Sequence, residues 1–383
     1  MLTTLPDAYP DGDMRTEALF HLALPRLKSG AWADARAYLA KAHALMPHED
    51  GYFVAGRSAY FVAIADLRTG HETEGKAALV KLIADEPLTF AAAMAYAELA
   101  RRSPADAEVA KVALEAAFAT ETSTATGTLI GDGRAETNSP GFSRAIELLI
   151  VGESDGFKRE LGALGLTKES DANGTWLAAS LLAQVGELRS AHAIARARTD
   201  WTRHFPAGKW RAAWQLAYPR IYADSVEAAS ATHGVPASIV WGVMREESAF
   251  DPEVVSGSDA YGLMQLIAPT AAHYAKPLKL QHDPKSLAVP EINIPIGTSY
   301  LRKLRAEFPL NEALAVPSYN AGEGATHRWM SPPLASTFDL WVESIPYEET
   351  RKYTKRVLAS YYAYVGLYDT AHLDEALRVA AGK

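Results

Sequence analysis

A chain of 383 residues exceeds what one hydrophobic core usually serves, so two or more domains are expected. Hydrophobic residues at 48%, charged residues at 22% and a formal charge of −8 with no basic stripe exclude a typical nucleic-acid binder, and leave an anionic polymer to be gripped by local hydrogen bonds. The lack of cysteine removes disulfides, thiolate nucleophiles and cysteine-based metal sites.

Alanine is abundant and runs of Val, Ile and Thr are scarce, which favours helices. Residues Met1 to Met14 show no positive n-region and no apolar h-region, so the expectation is a cytoplasmic chain or one whose signal has been removed. No apolar run reaches the length of a membrane span. From about Thr16 to His204 one helix follows another. Ala31 to Met46 has small and apolar residues at helical spacing, opened after Gly30 and stopped by Pro47. Similar units run around Tyr52–Leu67, Gly75–Ala84, Phe90–Arg101 and Ala105–Ala119, punctuated by Gly70, Pro87 and Pro104. They read as tetratricopeptide-like helical hairpins with a degenerate period. Thr120 to Gly141 reads as a long loop, after which helices resume near Phe142, Thr175 and Ser190. Pro206 and Gly208 mark a boundary, so 1–208 is expected to be a helical superhelix and 209–383 a second domain that carries the chemistry.

Two short motifs are set aside. Gly70 to Lys76 approaches a phosphate-binding loop, but Ala77 stands where a metal-binding Ser or Thr belongs, no strand precedes it, and Glu72 and Glu74 would repel phosphate. Gly152-Glu-Ser154-Asp-Gly156 fits a nucleophile elbow, yet its surroundings are helical rather than α/β. The histidines form no metal-binding pairing, and no metal or cofactor is expected. Trp32, Trp176, Trp210 and Trp214 sit on apolar helical faces as core residues, while Trp241 and Trp329 are open to core packing or to sugar stacking.

Gly234-Val-Pro236 can open a helix that continues from Ala237 to Ser248. At 100° per residue, Ile239, Val240, Trp241, Val243 and Met244 form an apolar arc with Glu247 near its centre and Glu246 towards its edge. A carboxyl in apolar surroundings keeps its proton to higher pH, as a general acid must. The helix geometry alone equally allows Glu247 to pair with Arg245 or Arg351.

The residues that follow separate these readings. Arg245-Glu-Glu247-Ser-Ala-Phe-Asp-Pro252, Ser256, Tyr261-Gly262-Leu-Met-Gln265, Pro269-Thr-Ala271, Ser318-Tyr-Asn-Ala-Gly322 and Glu343 to Tyr353 come in an order and spacing that resembles the soluble lytic transglycosylase family, with Trp214 to Arg220 similar to its lead-in segment. The resemblance spans about Trp210 to Tyr368. It implies an all-α protein, a helical superhelix followed by a lysozyme-like catalytic domain, acting on peptidoglycan glycan strands in the periplasm; the helical repeats are open to forming a ring, binding protein partners or stabilising the enzyme. It implies Glu247 as the acid/base. Ser256 would orient the N-acetyl sugar, Gly262, Met264 and Gln265 would form the sugar-facing loop, and Gln265 would offer donor and acceptor to an acetamido group. Tyr319 and Glu349 would lie near the sugar, Asn320 would hold its own turn, and Glu349 is also open to a salt bridge with Arg351 or Arg356. The family commonly has Met-Pro one residue after this loop. Here Ile267 and Ala268 stand there, so Ile267 is the expected cleft residue. The implied reaction cleaves the β-1,4 bond between N-acetylmuramic acid and N-acetylglucosamine with 1,6-anhydromuramic ends. The rivals are a lysozyme-type hydrolase using Asp251 and a non-catalytic glycan-binding scaffold.

Overall fold

The computed structural model describes residues 14–49, 54–119, 129–130, 135–167, 171–198, 201–330 and 337–379. Among these the chain is helical nearly throughout. The helices are α1 (Arg15–Ser29), α2 (Trp32–Leu45), α3 (Arg57–Arg68), α4 (Glu72–Asp85), α5 (Phe90–Arg102), α6 (Pro104–Ala119), α7 (Pro140–Ile150), α8 (Ser154–Ala163), α9 (Ala172–Gln184), α10 (Leu188–Arg196), α11 (Lys209–Ala217), α12 (Ala223–His233) and α13 (Ala237–Glu247). A two-residue hairpin follows, β1 (Ala260–Tyr261) against β2 (Leu266–Ile267). Then come α14 (Ala268–Leu278), α15 (Pro290–Glu307), α16 (Ala315–Ala321), α17 (Glu323–Trp329), α18 (Phe338–Glu343), α19 (Glu348–Tyr368) and α20 (Leu373–Arg378).

The expected helices appear close to where the spacing puts them. Pro104 stands at the boundary between α5 and α6, as expected, and is itself the first residue of α6, where a missing N–H costs nothing. Of the loop expected over Thr120 to Gly141, most lies outside the described residues. Ala135–Asn138 forms a 3₁₀ turn, and Ser139 Oγ caps α7 by accepting from Phe142 N at 3.1 Å. Ser154 begins α8 with no strand before it.

The chain divides into two compact units, and both draw residues from either side of position 208. One comprises 1–115, 234–242 and 299–383; the other comprises 116–233 and 243–298.

In the first unit, α1 to α5 pack in sequence as antiparallel neighbours. Small residues set their spacing: Ala35, Ala42, Ala63 and Ala93 are wholly buried, and a Cβ on Gly75 would come within 2.7 Å of Leu67 Cγ and 3.0 Å of Ala63 O. Helix α19 is buried on nearly every face, the mark of a central helix. A Cβ on Gly242 would stand 3.3 Å from Val357 O, so α13 lies directly on the α19 backbone, with Trp241 stacked on Tyr364. Trp241 is therefore core, being 4% exposed.

Polar links tie the early helices of this unit to its late ones: Tyr60 on α3 donates to Asp339 Oδ2 on α18 at 2.8 Å, and Tyr96 on α5 bonds Asp374 on α20. Two of the late helices are joined by Lys355 on α19, which meets Glu343 on α18 at 2.8 Å in a buried pair. Burial holds the Asp339 carboxyl above its ordinary range and pushes Lys355 down. The Tyr60→Phe variant should lose about 1–3 kcal/mol, because a buried carboxyl is left one donor short. Urea denaturation of the two proteins measures it.

In the second unit, α7–α8 and α9–α10 form two further hairpins around Phe157, Leu161, Leu177, Ala178 and Leu182. Trp201 is buried edge-on to Trp214, with ring centroids 4.8 Å apart. A separate small core of Leu266, Ala271, Ala275, Leu287 and Ile296 supports the hairpin and α14.

Candidate active site

Helix α13 begins one residue after Pro236, whose carbonyl accepts from Ile239 N at 3.1 Å. Ile239, Val240, Trp241, Val243 and Met244 are all buried, as their periodicity predicts. The last turn differs from the expectation. Glu246, placed at the edge of the arc by the helical wheel, has a fully buried carboxylate, and Glu247 is half-buried. The reason is charge: Glu246 bonds Arg245 and accepts from Arg196 Nη2 at 2.9 Å. Two guanidinium groups compensate a carboxylate that could not otherwise leave water. Arg245 is only 2% exposed; its Nε donates to Ala217 O at 3.0 Å and its guanidinium lies 4.2 Å over the Tyr218 ring. The base named as a potential partner for Glu247 thus bonds its neighbour, and Arg351 Nη1 donates to Ile345 O at 2.7 Å.

The backbone just past Glu247 is strained. Ala249 and Phe250 have φ of 48° and 65°, and Asp259 and Gln265 follow at 54° and 46°. Residues with side chains avoid this left-handed region, at a cost of about 1–3 kcal/mol each, unless their surroundings impose it. Here Ser248 imposes it. Its Oγ accepts from Phe250 N at 3.1 Å and lies 2.8 Å from Leu263 O and 3.0 Å from Met244 O as donor. The serine after Glu247 therefore pins the helix end to the loop 262–265. Buried Phe250, edge-on to His192, completes the lock.

That loop is shaped from behind by Asn293 on α15. Its Oδ1 accepts from Met264 N at 2.8 Å, and its Nδ2 donates to Leu287 O at 2.9 Å and Tyr261 O at 3.0 Å. Gly262 is obligatory, with φ of 72° and an added Cβ 2.2 Å from Leu287 O. Met264 is wholly buried, and a Cβ on Gly297 would strike its sulfur at 2.4 Å. Gly262 and Met264 thus act on the loop's shape and offer no side-chain surface to a ligand. Ser248 and Asn293 were not singled out from sequence. The serine's adjacency to Glu247 is a usable signal, whereas nothing in the sequence around Asn293 marks it.

Gln265 is half-buried, and both of its donors are used: Nε2 gives to Val254 O at 3.1 Å and Gly262 O at 2.9 Å. It is left with an acceptor alone, rather than the donor and acceptor expected. Ser256 is complementary. Its Oγ accepts from Ala260 N at 3.1 Å and Ser258 N at 3.2 Å, which leaves the hydroxyl hydrogen to donate. One acceptor and one donor are what a secondary amide such as an acetamido group requires. Ile267 is 43% exposed at the start of α14. Asp251 is engaged in its own turn: Oδ1 accepts from Glu253 N at 3.1 Å and meets Arg189 Nη1 at 2.9 Å.

Tyr319 and Glu349 belong to the first unit. The Tyr319 ring is buried, 5.1 Å from that of Tyr300. Asn320 Oδ1 accepts from Thr350 Oγ1 at 2.5 Å, which ties the turn after α16 to the first turn of α19. Glu349 is exposed and makes no ion pair among the described residues; at that turn Glu348 pairs with Lys352 at 2.6 Å. Trp329 is half-buried, edge-on to Tyr347.

An all-α chain with a carboxyl at the end of a buried helix, tied to a glycine-dependent loop, has the architecture of the lysozyme-like transglycosylases. Residues 224–341 match the family model of the transglycosylase SLT domain. The chain is 39% identical over 153 residues to the soluble lytic murein transglycosylase of Escherichia coli K12, covering 38% of this chain and 24% of that one. It is 34% identical over 130 residues to the membrane-bound lytic murein transglycosylase C of Haemophilus ducreyi, covering 31% and 35%. The chain thus matches about a quarter of the length of the soluble relative. The fold is similar to that of an inactive mutant of the lytic transglycosylase Slt from Pseudomonas aeruginosa, with a TM-score of 0.67 at 22% identity over 95% of this chain and 54% of that one. It is also similar to the 70 kDa soluble lytic transglycosylase from Escherichia coli, with a TM-score of 0.65 at 24% identity over 94% and 52%.

Proposed function

We propose that this protein is a periplasmic lytic transglycosylase that cleaves the β-1,4 bond between N-acetylmuramic acid and N-acetylglucosamine in peptidoglycan and leaves 1,6-anhydromuramic ends. The observation that carries the reading is the placement of Glu247, half-buried at the end of α13 and locked by Ser248 to a loop that presents an amide acceptor, inside the part of the chain that matches the SLT family.

In this reading Glu247 gives its proton to the glycosidic oxygen as the bond to the muramic C1 breaks. Gln265 Oε1 accepts from the acetamido N–H and Ser256 donates to the acetamido carbonyl, which orients that group to stabilise the cationic sugar. Glu247, now a carboxylate, takes the proton of the same sugar's C6 hydroxyl as its oxygen closes on C1. The proton account closes on one carboxyl, and no water is consumed. Ile267 lines the glycan path, Tyr319 and Glu349 contact the sugar, and Gly262 and Met264 serve by shaping the loop. The proposed division is a superhelix over 1–208, open to protein partners, and a part over 209–383 that carries Glu247.

A water-activating hydrolase needs a second carboxylate at a defined separation. Asp251, near in sequence, is engaged with Glu253 N and Arg189, which disfavours that role. Digestion of purified sacculi followed by mass spectrometry tests the proposal. The products should be muropeptides one water lighter than reducing-end fragments. Mostly hydrated ends would establish the hydrolase instead, and intact sacculi that retain bound protein would establish the scaffold.

A further inference from the structure

One face of helix α10 is spent on the segment that carries Glu247. Arg189, His192 and Arg196 lie three and four residues apart, the spacing that lines one side of a helix. Arg189 Nη1 reaches Asp251 at 2.9 Å. The His192 ring stands edge-on to Phe250, with centroids 5.2 Å apart. Arg196 Nη1 donates to Arg245 O at 2.6 Å, and its Nη2 donates to Glu246 Oε2 at 2.9 Å. These contacts bracket Glu247 at positions 245, 246, 250 and 251. The carbonyl of Arg245 is one of those that a helix end leaves without an intrahelical partner, and a guanidinium from another helix supplies it. His192 and Arg245 also converge on one acceptor: His192 Nδ1 lies 2.9 Å from Ala217 O, to which Arg245 Nε donates. With burial and two nearby guanidinium groups keeping His192 uncharged, the network has two cations and one carboxylate at its centre.

We propose that Arg196 is a positioning residue for the reaction, and that α10 of the amino-terminal half belongs functionally to the site as the support that aims Glu247. The proposal rests on the transglycosylase reading. Its two-pronged bond sets both the last carbonyl turn of α13 and the side chain next to Glu247, a task for which the planar fork of arginine is suited and the point charge of lysine is not.

The test uses the full chain with soluble, uncross-linked glycan strands as substrate. Arg196→Gln should lower kcat by about 10- to 100-fold, as expected for a displacement on the order of 1 Å at the reacting group, with little change in KM. Arg196→Lys, which keeps the charge and loses one prong, should be partly active. The double variant Arg196→Gln/Glu246→Gln also takes from buried Arg245 the carboxylate it bonds, so it should be no more stable than Arg196→Gln, and it should not regain kcat, because the bond to Arg245 O is still missing. A folded Arg196→Gln protein with unchanged kcat, or a double variant with the parent kcat, overturns the proposal. If neither of these folds, Arg196→Lys decides the matter: a lysine variant with the full parent kcat overturns the proposal. An inactive parent chain would instead remove the transglycosylase reading.

Discussion

Replacing Glu247 by Gln should lower the rate of glycan cleavage by at least about 10²- to 10⁴-fold, the range contributed by general acid–base catalysis, while binding and fold are retained. Glutamine keeps the shape and the hydrogen-bonding capacity of the side chain but has no proton to give at neutral pH. Both halves of the proposed reaction pass through this one group, the protonation of the leaving oxygen and the deprotonation of the C6 hydroxyl, so no second carboxylate takes over. Glu247 is half-buried and its backbone is held by Ser248, so an isosteric change has little to disturb. The measurement is release of soluble muropeptides by parent and variant at equal concentration, beside pelleting with sacculi for binding and circular dichroism for fold. A Gln variant that cuts at the parent rate removes Glu247 from the mechanism.

Gly262→Ala is expected to be strongly damaging, since among the described glycines it is the one whose added Cβ would come nearest to another atom. Two costs combine. Alanine at φ of 72° costs about 1–2 kcal/mol, and its Cβ would stand 2.2 Å from Leu287 O and 2.6 Å from Asn293 Nδ2, backbone and a side chain already committed to three hydrogen bonds. Relieving that overlap costs about 1–3 kcal/mol more by the usual measure of overpacking. The loop moves away from α15, and Gln265, which donates to Gly262 O, moves with it. Thermal denaturation should show the lost stability, and activity should fall beyond what the folded fraction explains. A variant with the parent's melting temperature and rate would mean that the loop has no role in the site. Gly70 and Gly152 make an internal comparison: both have positive φ, yet no atom lies within 4 Å of an added Cβ, so alanine there bears the conformational cost alone.

Much of this was legible in the amino-acid order. Alanine-rich stretches with apolar residues at helical spacing specify the packed run of α1 to α5, because small residues are what allow helices to approach closely. The arc from Ile239 to Met244 specifies a buried helix that reaches Glu247. The order of Glu247-Ser, Gly262 to Gln265 and Tyr319-Asn-Ala-Gly carries the resemblance to the soluble lytic transglycosylases.

What tertiary structure decided is where each polar group finds its partner. The helical wheel put Glu246 at the edge, but Arg196, fifty residues earlier, lets it be buried; a wheel describes one helix and knows nothing of a guanidinium on another. The carbonyls of Val254 and Gly262 consume the donors of Gln265 and turn it into an acceptor. Asn293 and Ser248 matter because of which backbone atoms they reach, which no local pattern encodes. Sequence periodicity reports the face a residue presents, because that follows from the geometry of a single element. Charge compensation and hydrogen-bond satisfaction depend on segments far apart in the chain, so they exist only once the fold brings those segments together.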